Sequence, residues 1–314
     1  MFEFLLNPAQ LADVLSTALR LAIPLIFAAM GGLLCERAGV FNIALEGQIL
    51  FGAFGAAVGA YYFGSPYAGL LVAIGFGVLS GLLLAILGIS LRVNQIVVGI
   101  AIILFATGFT SFMSRLLFPG GGNSLSLEGL GPINIPVLSE IPVIGQVLFA
   151  QNGLVYGALL LVFAINFLLF RTRAGMSIRA VGETPSAADA AGIHVFRTRY
   201  ACVVTGSAMA ALGGAYLVLT QVLLFSDKMS AGKGFIALAA IVLGRWQPKL
   251  AFLACLLFGF FDAVQLRLQF NHPEIPFQVF AALPYIVSIL ALVGLMGRAN
   301  PPSSIGRPYD REMR

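Results

Sequence analysis

Glu36, Arg37 and Glu46 stand in ERAGVFNIALEGQILFGAF, residues 36–54, between two runs apolar enough to lie in a lipid bilayer. A carboxylate at such a place is costly without a partner, so Glu46 either borders a polar path through the membrane or locks the structure from within. Gly39 and Gly47 bracket a break in the helical pattern. The N–H and C=O groups that such a break frees must be satisfied by protein or by a water-lined cavity. The spacing predicts that Asn42 caps a helix starting at Ile43, which puts Asn42 and Glu46, four residues apart, on nearly the same face. Glu36 and Arg37 fit either the path or the membrane boundary, where charges are inexpensive anchors.

Three further groups of polar residues interrupt apolar sequence. In the run 249–270, Asp262, Gln265 and Gln269 recur at spacings of three and four and form one polar helical face. That face borders an aqueous cavity or makes a hydrogen-bonded seam between helices. Asn94 and Gln95 follow Arg92 at the edge of another run and admit the same two readings. GKG at 232–234 is not a phosphate loop: in GxxxxGK[ST], Asp227 holds the place of the first glycine and Gly234 that of Ser/Thr. His194 and His272 fall in loops on opposite sides of the expected membrane. Cys35, Cys202 and Cys255 are isolated from one another and read as small packing residues. The sequence therefore implies no catalytic residue, no metal and no cofactor.

The 314-residue chain that carries these residues is 59% hydrophobic and only 10% charged, with a mean hydropathy of +0.97. Soluble proteins average about 45–50% and about 25%. The expected fold is an all-α polytopic membrane protein of about 8–9 transmembrane helices, some broken or re-entrant. Spans are expected near 12–34, 47–63, 67–91, 94–116, 152–170, 200–222, 249–270 and 277–297. The ninth, 231–244, spans only about 20 Å at about 1.5 Å per residue and is expected to be a broken helix. MFEFLLNPAQ has no basic region and no cleavage site follows, so the first helix is expected to be retained.

Residues 116–170 contain no Lys or Arg, whereas 171–199 hold Arg171, Arg173, Arg179, Arg197 and Arg199, and the tail holds Arg298, Arg307, Arg311 and Arg314. The positive-inside rule then places the N-terminus and the 117–150 loop outside, with 171–199 and the C-terminus in the cytoplasm. It also accounts for the net charge of +5 without nucleic acid. One transmembrane domain, 1–314, is expected, since neither loop can hold a soluble core. FNIALEG at 41–47 and FIALAA at 235–240 echo one another beside the two most interrupted helices, as in transporters whose paired breaks line the path. Gly47, Gly52, Gly55 and Gly59 read as helix-packing positions.

In the inner loop, VGETPSAADAAGI offers Thr184 as N-cap, Pro185 as first helical residue and Gly192 as the stop of a two-turn helix. So short a helix is marginal alone, and its small face, Ala187, Ala188 and Ala191, suits a groove on another protein.

ERAGVFNIALEGQILFGAF, VGETPSAADAAGI and GKGFIALAAIVLGRWQP (232–248) together resemble the permease subunits of bacterial ABC importers, in the branched-chain amino acid/ribose superfamily and within it the nucleoside or simple-sugar permeases. The resemblance covers nearly the whole chain. It implies an inner-membrane subunit that pairs with a second permease as a heterodimer and receives substrate from an extracytoplasmic binding protein. It also implies cytoplasmic ATP-binding subunits, docked through Gly182, Glu183, Thr184, Pro185, Ala188 and Gly192. Asn42, Glu46, Asn94, Gln95, Asp262, Gln265 and Gln269 become the expected pathway or gate, for a nucleoside or, alternatively, a pentose, hexose or branched-chain amino acid. Family members often carry one more N-terminal span; this chain is expected to lack it, in keeping with the N-terminus expected outside. The rival reading is a stand-alone proton-coupled transporter with Glu46 and Asp262 as its relay; a membrane scaffold is disfavoured by the recurring intramembrane polar residues.

Overall fold

The computed structural model describes residues 8–118, 120, 126–134, 145–271, 276–284, 286, 287, 289 and 301–310. Two helices make its centre: α1 (Pro8–Arg37) and α8 (Val195–Tyr216). Their apolar spans are 89% and 72% buried, against 28–39% for the other spans. Small residues permit this. A Cβ at Gly31 would collide with the Gly206 carbonyl, and one at Gly206 with the Gly31 carbonyl, so the two backbones touch. α2 (Leu45–Phe63) and α3 (Pro66–Ala85) pack on one flank of α8. α9 (Lys233–Leu243) and α10 (Pro248–Asn271) pack on α1. α4 (Gln95–Leu117) lies against α2, and α5 (Gly153–Arg171) against α1. Gly55 and Gly59 serve α2–α3 packing, since a Cβ at Gly59 would lie 2.7 Å from Gly69 Cα.

Among the described residues, six helices are long and apolar enough to cross a membrane, and α9 is a shorter apolar helix. The expected all-α polytopic class is therefore found, with α2 as a seventh long helix whose Glu46 and Gln48 lower its hydropathy. The span expected at 277–297 is described as α11 (Phe277–Ala281), and most of its remainder lies outside the described residues. Opposite ends of the bundle carry α6 (Arg173–Glu183) with α7 (Pro185–Ala190), and a small antiparallel pair, β1 (Pro132–Asn134) with β2 (Ala150–Asn152).

Two breaks interrupt the bundle. After α1 the chain leaves helical geometry from Ala38 to Ala44 and climbs back beside α4. A Cβ at Gly99 would lie 3.0 Å from Ile43, and one at Gly47 3.0 Å from Ile103. Those α4 residues stand four and eight positions in, about 6 and 12 Å along its axis, so α2 begins inside the apolar layer. The second break follows α8, which passes into a π turn at Leu217–Val222 and then irregular chain before α9 starts at Lys233. Carbonyls freed there find donors in another loop: Leu130 N–H donates to Leu219 O at 2.9 Å and Leu127 N–H to Leu223 O at 3.1 Å. The segment expected to be broken, 231–244, is instead one short continuous helix, α9, and the break lies before it, between Leu217 and Gly232.

Candidate functional site

Glu46 joins the two breaks. Ser230 Oγ donates to its Oε1 at 2.6 Å, Gly232 N–H to Oε1 at 2.8 Å, and Gly234 N–H to Oε2 at 2.7 Å. The carboxylate, 8% exposed, therefore satisfies donors at the N-terminus of α9 that no helical carbonyl can reach, where a negative charge is favourable. GKG acquires its explanation here. Gly232 is the N-cap of α9 in the left-handed region, φ +83°. Gly234 leaves no room for a Cβ, which would collide with Glu46 backbone. Both carboxylate oxygens of Glu46 are therefore occupied by donors of the second break.

Asn42 departs from expectation. α2 starts at Leu45 with Ala44 as N-cap. Asn42, fully buried, instead donates from Nδ2 to Gln48 Oε1 at 3.0 Å and to Cys35 Sγ at 3.7 Å. The non-helical backbone from Ala38 onward turns its side chain away from the donors that Glu46 takes, so the two do not share a face. Gln95 accepts the Phe41 N–H at 2.7 Å and holds the broken segment to α4. Asn94 caps α4, its Oδ1 accepting from Ile96 N–H at 2.9 Å. Glu36 accepts from Trp246 Nε1, and Arg37 Nε donates to the Trp246 carbonyl at 2.8 Å. This fastens the far end of α9 to α1.

The open polar surface lies elsewhere, along α1. Three cavities adjoin one another there. One of about 310 Å³ includes Asp13, Thr17 and Arg267. A second, of about 520 Å³, includes Thr17, Arg20, Asn152, Tyr216 and Gln221. The third, of about 330 Å³, includes Leu21, Lys233, Asp262 and Gln265. Thr17 is common to the first two, Leu21 to the last two and Leu266 to the first and third, so they form one groove between α1, α10, the π turn and the start of α9. Asp262 and Gln265 lie on it; Asn42, Glu46, Asn94, Gln95 and Gln269 line none of the three. Sequence reading missed Asp13, Thr17 and Arg20, although their spacing of four and three inside the first span is a helical stripe. A groove of amides, hydroxyls and a few charges can hold a polar solute by hydrogen bonds while shielding it from lipid.

The opposite end of the molecule is a platform. Arg199, expected in a loop, is in α8 and 1% exposed. Its guanidinium donates to Ala38 O at 3.1 Å, to Arg307 O at 3.1 Å and to Ser304 Oγ at 3.2 Å. Residues 301–310 form a strap here. Ser304 N–H donates to Gly182 O at 3.0 Å and Gly306 N–H to Gly39 O at 3.2 Å. Ser303 Oγ donates to Glu183 at 2.9 Å, and Arg92 holds Asp310 through two bonds of 2.5 and 3.0 Å. Gly182 admits no side chain, since a Cβ would strike the Arg37 carbonyl. α7 forms as expected from Pro185, with the chain turning left-handed at Gly192, φ +85°. Thr184 sits at its N-cap without a side-chain bond. Ala188 points inward against Val181, Val195 and Tyr309, while Ser186, Ala187 and Ala191 are exposed.

Residues 14–296 match the family described as branched-chain amino acid transport system / permease component. The chain belongs to this family. The permease is 38% identical to the guanosine ABC transporter permease protein NupQ of Bacillus subtilis, over 95% of this chain and 97% of the relative. It is 37% identical to the nucleoside ABC transporter permease protein NupC of Lactococcus lactis, over 91% and 93%. A putative glucose ABC transporter permease protein of Haloferax volcanii, TsgC13, is 33% identical over 96% and 98%. The first two organisms each contribute a second, more distant match, also named a guanosine or nucleoside permease, at 26% and 27% identity. No solved structure matches the permease.

Proposed function

We propose that the permease is a non-catalytic, membrane-spanning subunit of an ATP-driven nucleoside importer. The observation that carries this reading is near full-length similarity to permeases named for guanosine and nucleosides. The groove along α1 supports it, because neutral amides and hydroxyls suit a solute rich in hydroxyls and ring nitrogens. The glucose-named relative favours a sugar as second reading. A proton relay through Glu46 gains no support, since three donors already occupy its carboxylate.

The whole chain acts as one transmembrane domain beside a second, non-identical permease, as the paired matches suggest. ATP is hydrolysed on separate cytoplasmic subunits, and an extracytoplasmic protein delivers substrate. The N-terminus and the 117–150 loop face outward; 171–199 and the C-terminus face the cytoplasm of the bacterial cell. The clustering of Arg92, Arg199 and Arg307 around the strap supports this orientation. ATPase subunits dock against the exposed Ser186 and Ala187 side of α7, and Gly182, Glu183 and Ala188 tie that helix to the body. Uptake of labelled guanosine, uridine and glucose in a deletion strain tests the reading. Nucleoside uptake should return with this chain and vanish when the ATPase subunits are deleted; uptake that survives their loss, or that is confined to glucose, would refute it.

Within the groove, Asp262 and Gln265 contact the moving solute. Gln265→Leu should lower uptake per assembled complex. Gln269→Leu should leave that ratio unchanged, because Gln269 lines none of the three cavities. Uptake per assembled complex unchanged in both variants would remove α10 from the path.

A further inference from the structure

The second cavity of the groove is lined by Tyr216, 0% exposed with its hydroxyl beside the Asn152 and Gln221 side chains, and by Thr220, whose hydroxyl has no hydrogen-bond partner. Thr220 and Gln221 belong to the π turn Leu217–Val222, a geometry found often at functional sites. Arg20 is fixed in place: its Nε donates to Gln151 Oε1 at 3.0 Å, and Gln151 Nε2 is in turn held by Ser16 Oγ at 3.2 Å and Val147 O at 3.1 Å. Gln221 Nε2 closes the other side on the Arg20 carbonyl at 2.9 Å. The two terminal nitrogens of Arg20 make no hydrogen bond to the described residues, and no carboxylate lines the cavity. An intramembrane cation oriented by a neutral amide rather than paired with an acid is arranged to meet a ligand.

We infer that this cavity is a binding subsite for 6-oxopurine nucleosides, with Arg20 donating to the adjacent O6 and N7 acceptors and the Tyr216 and Thr220 hydroxyls meeting the ribose. A guanidinium fork matches that pair of acceptors. Adenine sets an amino donor where O6 stands, so it faces the guanidinium with donor against donor. The cavity, about 520 Å³, is within the range of small-molecule sites. This inference rests on the nucleoside reading and names the base that the permease favours.

The test uses the intact transporter in cells, with uptake normalised to assembled complex. Wild type should take up guanosine and inosine in preference to adenosine. Arg20→Gln should lower guanosine and inosine uptake roughly tenfold while adenosine stays within about twofold. Arg20→Lys, which keeps the charge and loses the fork, should erase the same preference. Tyr216→Phe and Thr220→Val should lower all three nucleosides together, since the ribose is common to them. A second arm needs no delivery by other subunits. In Thr220→Cys, guanosine should slow modification of the new thiol by a water-soluble maleimide and adenosine should not; the native cysteines are 0–3% exposed and give little background. Equal loss of all three nucleosides in both Arg20 variants, or equal protection by adenosine, would overturn the subsite. Wild type that imports nucleosides with adenosine favoured would overturn the subsite alone, whereas wild type that imports no nucleoside would remove the functional reading as well.

Discussion

Glu46→Ala is expected to destroy assembly of the permease rather than to slow transport. The substitution strands Ser230 Oγ and the N–H groups of Gly232 and Gly234, all of which donate to the carboxylate at 2.6–2.8 Å. Hydrogen bonds to a charged group contribute about 1.5–3 kcal/mol each, and they are not strictly additive, so a loss of about 3–6 kcal/mol is expected. That is a large part of the stability of an ordinary domain. Glu46→Gln keeps the shape, yet it turns one oxygen into an amide that faces a donor, so a smaller loss of the same kind is expected. The amount of complex that survives mild heating in detergent measures both. A proton relay would behave oppositely, because glutamine mimics a protonated carboxyl: full assembly of Glu46→Gln with uptake insensitive to pH would overturn the structural role.

Arg199→Ala is expected to separate ATP hydrolysis from uptake. The buried guanidinium is bonded at once to the carbonyl that opens the first helix break, Ala38 O, and to Ser304 and Arg307 of the strap. The strap in turn holds Gly182 and Glu183 at the head of α7. Removing the fork leaves α7 attached to α6 and α8, while its link to Ala38 through Arg199 disappears. Uptake per assembled complex should fall about tenfold or more, as one buried charged bond of about 1.5–3 kcal/mol allows, with ATP hydrolysis by the complex retained. Arg199→Lys should fall between, since one ammonium cannot reach three acceptors in the fork geometry. Hydrolysis and uptake declining together, in step with the amount of protein, would show Arg199 to be a stabilising residue only.

Much of this architecture was legible because lipid imposes simple rules. Long apolar runs marked the spans, Gly55 and Gly59 were legible as packing positions without their partner, and 231–244 was legible as too short to span, though it is one continuous helix and the break precedes it. The motif beginning ERAGVFNIALEG was visible as an interruption, but its geometry was not. Asn42 looks like a helix cap in sequence, and whether it caps depends on where the next helix starts; here α2 starts at Leu45 with Ala44 as N-cap, and Glu46 takes the distant Gly232 and Gly234 instead. Such pairings span nearly two hundred residues and leave no local pattern. Arg199 was read as a loop charge because positive-inside counting registers only position along the chain, whereas burial by the strap is tertiary. The stripe Asp13, Thr17, Arg20 was legible in principle, since helical spacing alone would have found it.

The strap also sets the time at which synthesis can finish its work. Ala38 leaves the ribosome early, but the segment that braces it begins at Pro301. At about 5–20 residues per second, that interval is roughly 13 to 50 s. Throughout it α1, the most buried helix of the finished molecule, sits in the bilayer with its inner break unsupported. A nascent chain halted before residue 301 would carry every long helix among the described residues and still lack the brace at this end of α1, so a truncated permease would expose the break that a complete one covers.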